Sequence, residues 1–240
     1  MPAISRYFKL PYSFDLPRLR AELRQLEASV WIRHFNTSAY VNDWSCLPLR
    51  AVDGRIDHIM PVNEGNFQDT VLMQSCPYLR EVVDFFPCEK TSVRLMSLQA
   101  GGIIKEHRDD GTSLEDGITR LHIPITTSPE VLFKIDGEEV HFTAGDTWYL
   151  NASCLHGVVN ASAQARVHLM LDCVSNVWLE QVFRDAGWVA RARPKYDDPA
   201  IHDGNVEEVI SMLRASGAGA GLQIARRLEA IMLGQLVPGE

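Results

Sequence analysis

Between residues 91 and 174, short strand-like runs alternate with turn residues, and no other feature limits the fold as much. Thr91 to Leu98 reads as a strand, and Gly101-Gly102 turns the chain. From Thr119 to Ile125 the pattern alternates, with Leu121, Ile123 and Ile125 on one face and Arg120 and His122 on the other. Val131 to Ile135 and Glu139 to Thr143 flank Asp136-Gly137, a dipeptide that favours a tight hairpin because both residues tolerate a left-handed backbone. Gly145-Asp146 leads into Thr147 to Leu150. A loop carrying His156 follows, then a last strand from Ala165 to Val174. Arg166 and His168 share one face of it, and Val167, Leu169 and Leu171 share the other. Strands this short and this close build a sandwich or barrel, so the predicted class is mainly β with flanking helices.

The chemistry-bearing residues fall at the ends of these strands. Ile103 and Ile104 lead into His107-Arg108-Asp109. Side chains two apart in an extended segment point the same way, so His107 and Asp109 reach one ion. A third ligand has to come from another strand end. His156 is the candidate, with Arg166 ten residues further on along the next strand. Two imidazoles and a carboxylate on one face of a metal leave three positions open, which suits Fe(II) enzymes that bind a cosubstrate and O2 together. The same ligands also hold Zn(II), so a zinc hydrolase is the chemical alternative. Cys154 reads as a small buried thiol rather than a ligand, and His141 as structural.

The segments IIKEHRD, RLHIPI, GDTWYLNASCLHG and RVHLMLD, within residues 91 to 174, resemble the aspartyl/asparaginyl β-hydroxylase family of Fe(II)/2-oxoglutarate dioxygenases, which includes bacterial proline cis-4-hydroxylases. HFNTSAYVNDWSCLPLRA is similar to the aromatic segment that precedes the core in bacterial members. The resemblance implies a double-stranded β-helix, a cupin-like jelly-roll. It implies His107, Asp109 and His156 as the Fe(II) ligands, and Arg166 as the partner of the distal carboxylate of 2-oxoglutarate, since a planar guanidinium grips a carboxylate through two parallel hydrogen bonds. Arg120 and His122 match the family's R-x-H strand, which lines the cosubstrate pocket, and His168 shares Arg166's face as a further pocket candidate. The animal aspartyl hydroxylases lack the carboxylate ligand; this chain keeps Asp109 and in that respect is similar to the bacterial small-molecule members. The implied activity is O2-dependent hydroxylation of an unactivated C–H of an amino acid or amino-acid side chain (Asp, Asn or Pro-like), coupled to conversion of 2-oxoglutarate to succinate and CO2. The competing readings are a non-catalytic cupin-like metal- or ligand-binding domain, which has no need of open iron positions, and a cofactor-free cupin oxygenase, which leaves Arg166 unexplained.

Around this core, residues 1–90 read as an N-terminal support region and 175–240 as a helical appendage. Asp15 caps a helix with Pro17 in its first turn. Leu16, Leu19, Leu23 and Leu26 recur along it, with Glu22 among the residues facing away. Ser45 to Leu49 forms a short strand, and Tyr78 to Phe86 a helix stopped by Pro87. His34 is a candidate to touch substrate or a member of a structural aromatic cluster, and Arg94 either faces the barrel to meet an acidic group or lies on the strand surface; substrate selection falls to residues before Leu98. Helices are predicted over Val177 to Ala186, Val206 to Ala215 and Leu222 to Leu233, with a loop from Arg193 to Asp203 and a flexible Ser216 to Gly221 linker. This appendage packs or forms a homo-oligomer. A net charge of -8 argues against nucleic-acid binding. No stretch has the length of a membrane span, and the start lacks a secretory h-region. The five scattered cysteines read as reduced thiols of a cytoplasmic enzyme. The expected partner is therefore a small-molecule amino acid or peptide substrate.

Overall fold

The computed structural model describes residues 5–60, 62, 64–189, 194–198 and 200–236. Two compact units divide the chain, Met1–Ala190 and Arg191–Glu240. The first begins with β1 (Tyr7–Ser13), α1 (Leu16–Gln25), β2 (Ile32–Arg33), β3 (Tyr40–Val41), β4 (Trp44–Val52), β5 (Phe67–Asp69), α2 (Val71–Gln74) and α3 (Pro77–Asp84). Eight strands follow: β6 (Lys90–Leu98), β7 (Ile103–His107), β8 (Ile118–Thr126), β9 (Val131–Ile135), β10 (Glu138–Val140), β11 (Asp146–Leu150), β12 (His156–Asn160) and β13 (Arg166–Val174). Helix α4 (Val177–Asp185) completes this unit. The second unit holds α5 (Val206–Ala215) and α6 (Gly219–Met232), packed through Val206, Ile210, Ala225, Leu228 and Ile231.

One sheet has the order β1-β11-β8-β13-β6-β4-β2 with β5 on β4, and the other β10-β9-β12-β7-β3. Strands β6 to β13 pass from sheet to sheet as a jelly-roll does, and β11-β8-β13-β6 face β10-β9-β12-β7. The protein is thus mainly β with flanking helices, built on a double-stranded β-helix. The N-terminal region adds strands to both sheets rather than only covering them.

The alternation read in β8 and β13 divides two cores. Leu121, Ile123, Ile125, Leu169 and Leu171 belong to the cluster that includes Leu19 and Leu23 of α1, Leu79 and Val82 of α3 and Phe183 of α4. A second cluster holds Met96, Leu98, Ile104, Phe133, Phe142, Leu150 and Val158. Asp136 and Gly137 both have positive φ, 45° and 84°, as a two-residue hairpin turn requires. That turn places Glu138 opposite Ile135, so β10 starts one residue earlier than the pattern predicts and ends at Val140.

Several expectations need correcting. Strand β1, paired along β11, had no distinct signal in its mixed sequence. His156 opens a strand instead of lying in a loop, because β12 is hydrogen-bonded on both sides, to β9 and β7. Glu22 does not face away. It is buried, and its carboxylate accepts the Tyr78 and Leu79 backbone N–H groups, both at 2.7 Å, capping the first turn of α3. Helix α6 begins at Gly219, inside the run predicted as a flexible linker. Residues 193 and 199 of the predicted Arg193 to Asp203 loop lie outside the described residues.

Candidate active site

Strands β7 and β12 are neighbours, and His107 and His156 are direct partners across them. Their rings lie with centroids 4.4 Å apart. Asp109 follows two residues after β7, with its backbone N–H donating to Ala152 O at 2.9 Å. One ligand atom each from His107, Asp109 and His156 lies within 4.8 Å of the others. His107 Nε2 is 3.6 Å from Asp109 Oδ1. A Cβ on Gly157 would meet Ile104 O at 2.9 Å, so the glycine after His156 permits the close approach of the two strands.

Each imidazole is oriented through its other nitrogen. His107 Nδ1 lies 2.8 Å from Lys105 O, and His156 Nδ1 lies 3.0 Å from Cys154 O. A carbonyl only accepts, so Nδ1 carries the proton and Nε2 keeps its lone pair for a metal. Burial pushes His156 down to about 4, which keeps it neutral at ordinary pH. Burial alone would raise the Asp109 carboxyl, but the Arg120 guanidinium beside it, through its charge and its hydrogen bond, holds the group below its usual value. Two imidazoles that present Nε2 and an ionised carboxylate match the donor set of a first-row divalent metal with open positions.

The triad opens on a cavity of about 240 Å³ whose wall includes His34, Trp44, Arg94, Arg120, His122, Phe133 and Arg166. Arg166 is 3% exposed. It pairs with no carboxylate among the described residues; its Nη2 lies 3.2 Å from the neutral His168 Nδ1, and its Nε has no partner. Its guanidinium lies 5.2 Å from the centroid of the Phe133 ring. Desolvation alone draws its pKa down to about 9, and an anionic ligand would reverse that. Both nitrogens of buried His122 lack partners as well. Unpartnered polar atoms of this kind in a cavity wall, one of them on a buried guanidinium, fit an anionic ligand.

The structure brings His107, Asp109, His156, His122, Arg120 and Arg166 to one cavity. His168 is fully buried behind Arg166 and supports it, instead of forming the wall. Arg120 is turned toward carboxylates: its Nη1 donates to Asp109 Oδ2, and its Nε donates to Asp172 Oδ1 at 2.7 Å. Asp172 is the residue that sequence reasoning passed over. The signal was present, because 166, 168, 170 and 172 alternate onto one face of β13. Arg94 also lies in the cavity wall and meets an acidic group there, its Nη2 donating to Asp172 at 2.8 Å. His34 stacks on Trp44 with centroids 3.7 Å apart. Arg108 also lines the cavity, and its Nη1 donates to Ser153 O at 2.8 Å. Cys154 is not among the clustered donors, and burial pushes its thiol up to about 11. His141 Nδ1 lies 3.0 Å from Val131 O, a structural contact.

A jelly-roll with two histidines and a carboxylate at one strand pair, beside a buried arginine, has the layout of a metal-dependent oxygenase site. Residues 13–176 match the aspartyl/asparaginyl β-hydroxylase family, and the chain belongs to that family of hydroxylating enzymes. It is 26% identical over 197 residues to the L-proline cis-4-hydroxylase of Rhizobium meliloti, covering 81% of this chain and 70% of that enzyme. It is 27% identical over 135 residues to an L-proline cis-3-hydroxylase of a Streptomyces species, covering 54% of this chain and 46% of that enzyme. A 2OG-Fe(II) oxygenase family oxidoreductase from Burkholderia pseudomallei aligns with a TM-score of 0.49 at 15% identity, over 71% of this chain and 86% of that one. No helix among the described residues is long and apolar enough to cross a membrane.

Proposed function

We propose that the chain hydroxylates a free amino acid of about proline's size, using Fe(II), 2-oxoglutarate and O2. His107, Asp109 and His156 would hold the metal. Arg166 would take the distal carboxylate of 2-oxoglutarate, with His122 as a further polar contact. The observation that carries this reading is Arg166: a buried cation with no carboxylate partner among the described residues, in the same cavity wall as a His-Asp-His donor cluster. When bound, iron and cosubstrate supply oxidising power sufficient for an unactivated C–H while 2-oxoglutarate is converted to succinate and CO2.

The protein's own residues bind, orient and exclude water. His107 and His156 present Nε2 because backbone carbonyls fix their Nδ1–H groups. Phe133 and His168 fix the plane of Arg166. Met96, Ile104, Leu150, Val158 and Met170 keep the rest of the wall apolar. A cavity of about 240 Å³ falls below the usual range for drug-sized ligands, which supports a small free substrate over a peptide. His34 and Trp44, stacked in the wall near Arg94, would form the substrate side. The named relatives act on L-proline, which supports a cyclic or similarly compact amino acid.

The test is succinate release from 2-oxoglutarate with Fe(II) across free amino acids and short peptides, with His107→Ala beside it. Turnover is expected with a compact free amino acid, and none with His107→Ala. No succinate release with any amino acid or peptide, or full activity with zinc in place of iron, would refute the reading.

A further inference from the structure

Resting on the metal reading above, the geometry points to Arg120 as a positioning residue that holds the Asp109 carboxylate by one oxygen, so that only the other faces the metal. Arg120 lies in the middle of a buried chain of charges. Its Nη1 donates to Asp109 Oδ2. Its Nε and Nη2 grip Asp172 side-on, to Oδ1 at 2.7 Å and Oδ2 at 3.2 Å. Asp172 is held from the other side by Arg94 Nη2 at 2.8 Å, and Arg94 Nη1 donates to Ile59 O at 3.2 Å. Arg94, Arg120 and Asp172 are 4%, 7% and 3% exposed.

Two consequences follow for Asp109. Its Oδ1 is turned toward His107 Nε2, 3.6 Å away, while Oδ2 is occupied. A carboxylate fixed in this way does not chelate through both oxygens, so it takes one metal position and leaves the others for ligands that must share the ion. The charges also balance. Two arginines face two aspartates, so a bound divalent metal adds its whole charge to a neutral cluster, and an anionic chelator offsets it. Only a planar guanidinium spans both carboxylates: one edge takes Asp172 and the remaining nitrogen reaches Asp109. A lysine ammonium keeps the charge and loses the fork. With its Nε–Nη2 edge on Asp172 and Nη1 on Asp109, Arg120 is committed to these two acids, unlike the cosubstrate contact that its place in the R-x-H strand implies.

Co(II) titration of the apo protein, without 2-oxoglutarate, tests this, read by the visible absorption of the bound ion. Arg120→Lys is expected to weaken Co(II) binding by about 10- to 100-fold and to alter the spectrum, as losing a partner of a metal ligand does. The KM for 2-oxoglutarate at saturating Fe(II) stays unchanged. In an Asp109→Ala background the same Arg120→Lys change has no further effect on Co(II), because its route to the metal is gone. Unchanged Co(II) affinity, a raised 2-oxoglutarate KM with normal Co(II) binding, or an equal loss in both backgrounds each overturns the assignment. If Arg120→Lys does not fold, a crystal structure of the wild-type Co(II) complex decides. Asp109 with one oxygen on the metal and the other on Arg120 supports it; both oxygens on the metal overturns it. A wild-type chain that binds no Co(II) at all removes the metal reading itself.

Discussion

Replacing Arg166 by methionine should make the empty protein more stable and the working enzyme much worse. The guanidinium is 3% exposed, with one neutral nitrogen partner and one aromatic face. Desolvation lowers its pKa well below the ordinary arginine value, to about 9, which corresponds to a penalty on the order of 5 kcal/mol against the charged form. Below pH 9 the group is charged in both the folded and unfolded chains, so this penalty acts in full at neutral pH and fades only as pH rises through the folded value. The His168 bond, the Phe133 contact and imperfect packing of methionine offset much of it, leaving a net gain of about 1–3 kcal/mol. For a chain of this length that raises the apo melting temperature by about 3–10 °C. Loss of two charge-assisted hydrogen bonds, about 1.5–3 kcal/mol each, should raise the 2-oxoglutarate KM at least about 100-fold. Thermal melts with and without 2-oxoglutarate, run with a succinate-release assay, measure both effects. An apo melting temperature that falls by several degrees, or a KM that hardly moves, would show that Arg166 has a protein countercharge and is not a ligand clamp.

Three further outcomes follow from other contacts. Glu22→Ala removes the carboxylate that caps α3 through Tyr78 and Leu79, and should cost about 2–3 kcal/mol in urea unfolding, with the metal site intact when folded. Gly157→Ala sets a Cβ 2.9 Å from Ile104 O between the two histidine strands; Co(II) affinity and melting temperature should fall together, the latter by an amount matching about 1–3 kcal/mol. His168→Phe removes the side chain that hydrogen-bonds Arg166, and should raise the 2-oxoglutarate KM several-fold, on the order of one lost hydrogen bond, with Co(II) binding unchanged.

The jelly-roll was legible wherever one face of a strand is apolar and the other carries function. In β8, Arg120 and His122 alternate with Leu121 and Ile123; in β13, Arg166 and His168 alternate with Val167 and Leu169. The period-two signal holds there because one face packs on helices and the other on the opposite sheet. It failed for β12, whose identity comes from two neighbouring strands that no local pattern announces. It failed for Glu22 because an exposed-looking acid on a helix becomes buried only when a second helix points its N-terminus at it. The His107, Asp109 and His156 cluster and the nearby Arg166 were readable from spacing and family resemblance. The commitment of Arg120 was not. The same residue type on the same strand face serves a cosubstrate or a neighbouring carboxylate, and the choice is made by Asp172, 52 residues away.

The position of β13 between β8 and β6 has a bearing on how the protein is made. During synthesis the strands that will carry Arg94 and Arg120 emerge first, and neither meets the other. The strand that joins them comes last of the eight, bringing Arg166 and Asp172 with it. Until then the sheet is in two pieces with unpaired edges, and Asp172 has yet to arrive 78 residues after Arg94. Such long-range pairing folds slowly and leaves strand edges open to other chains. The donor cluster is thereby complete before the sheet behind it: a truncated or stalled chain holds His107, Asp109, His156 and Arg120 without Asp172, the acid that grips Arg120 from its other edge.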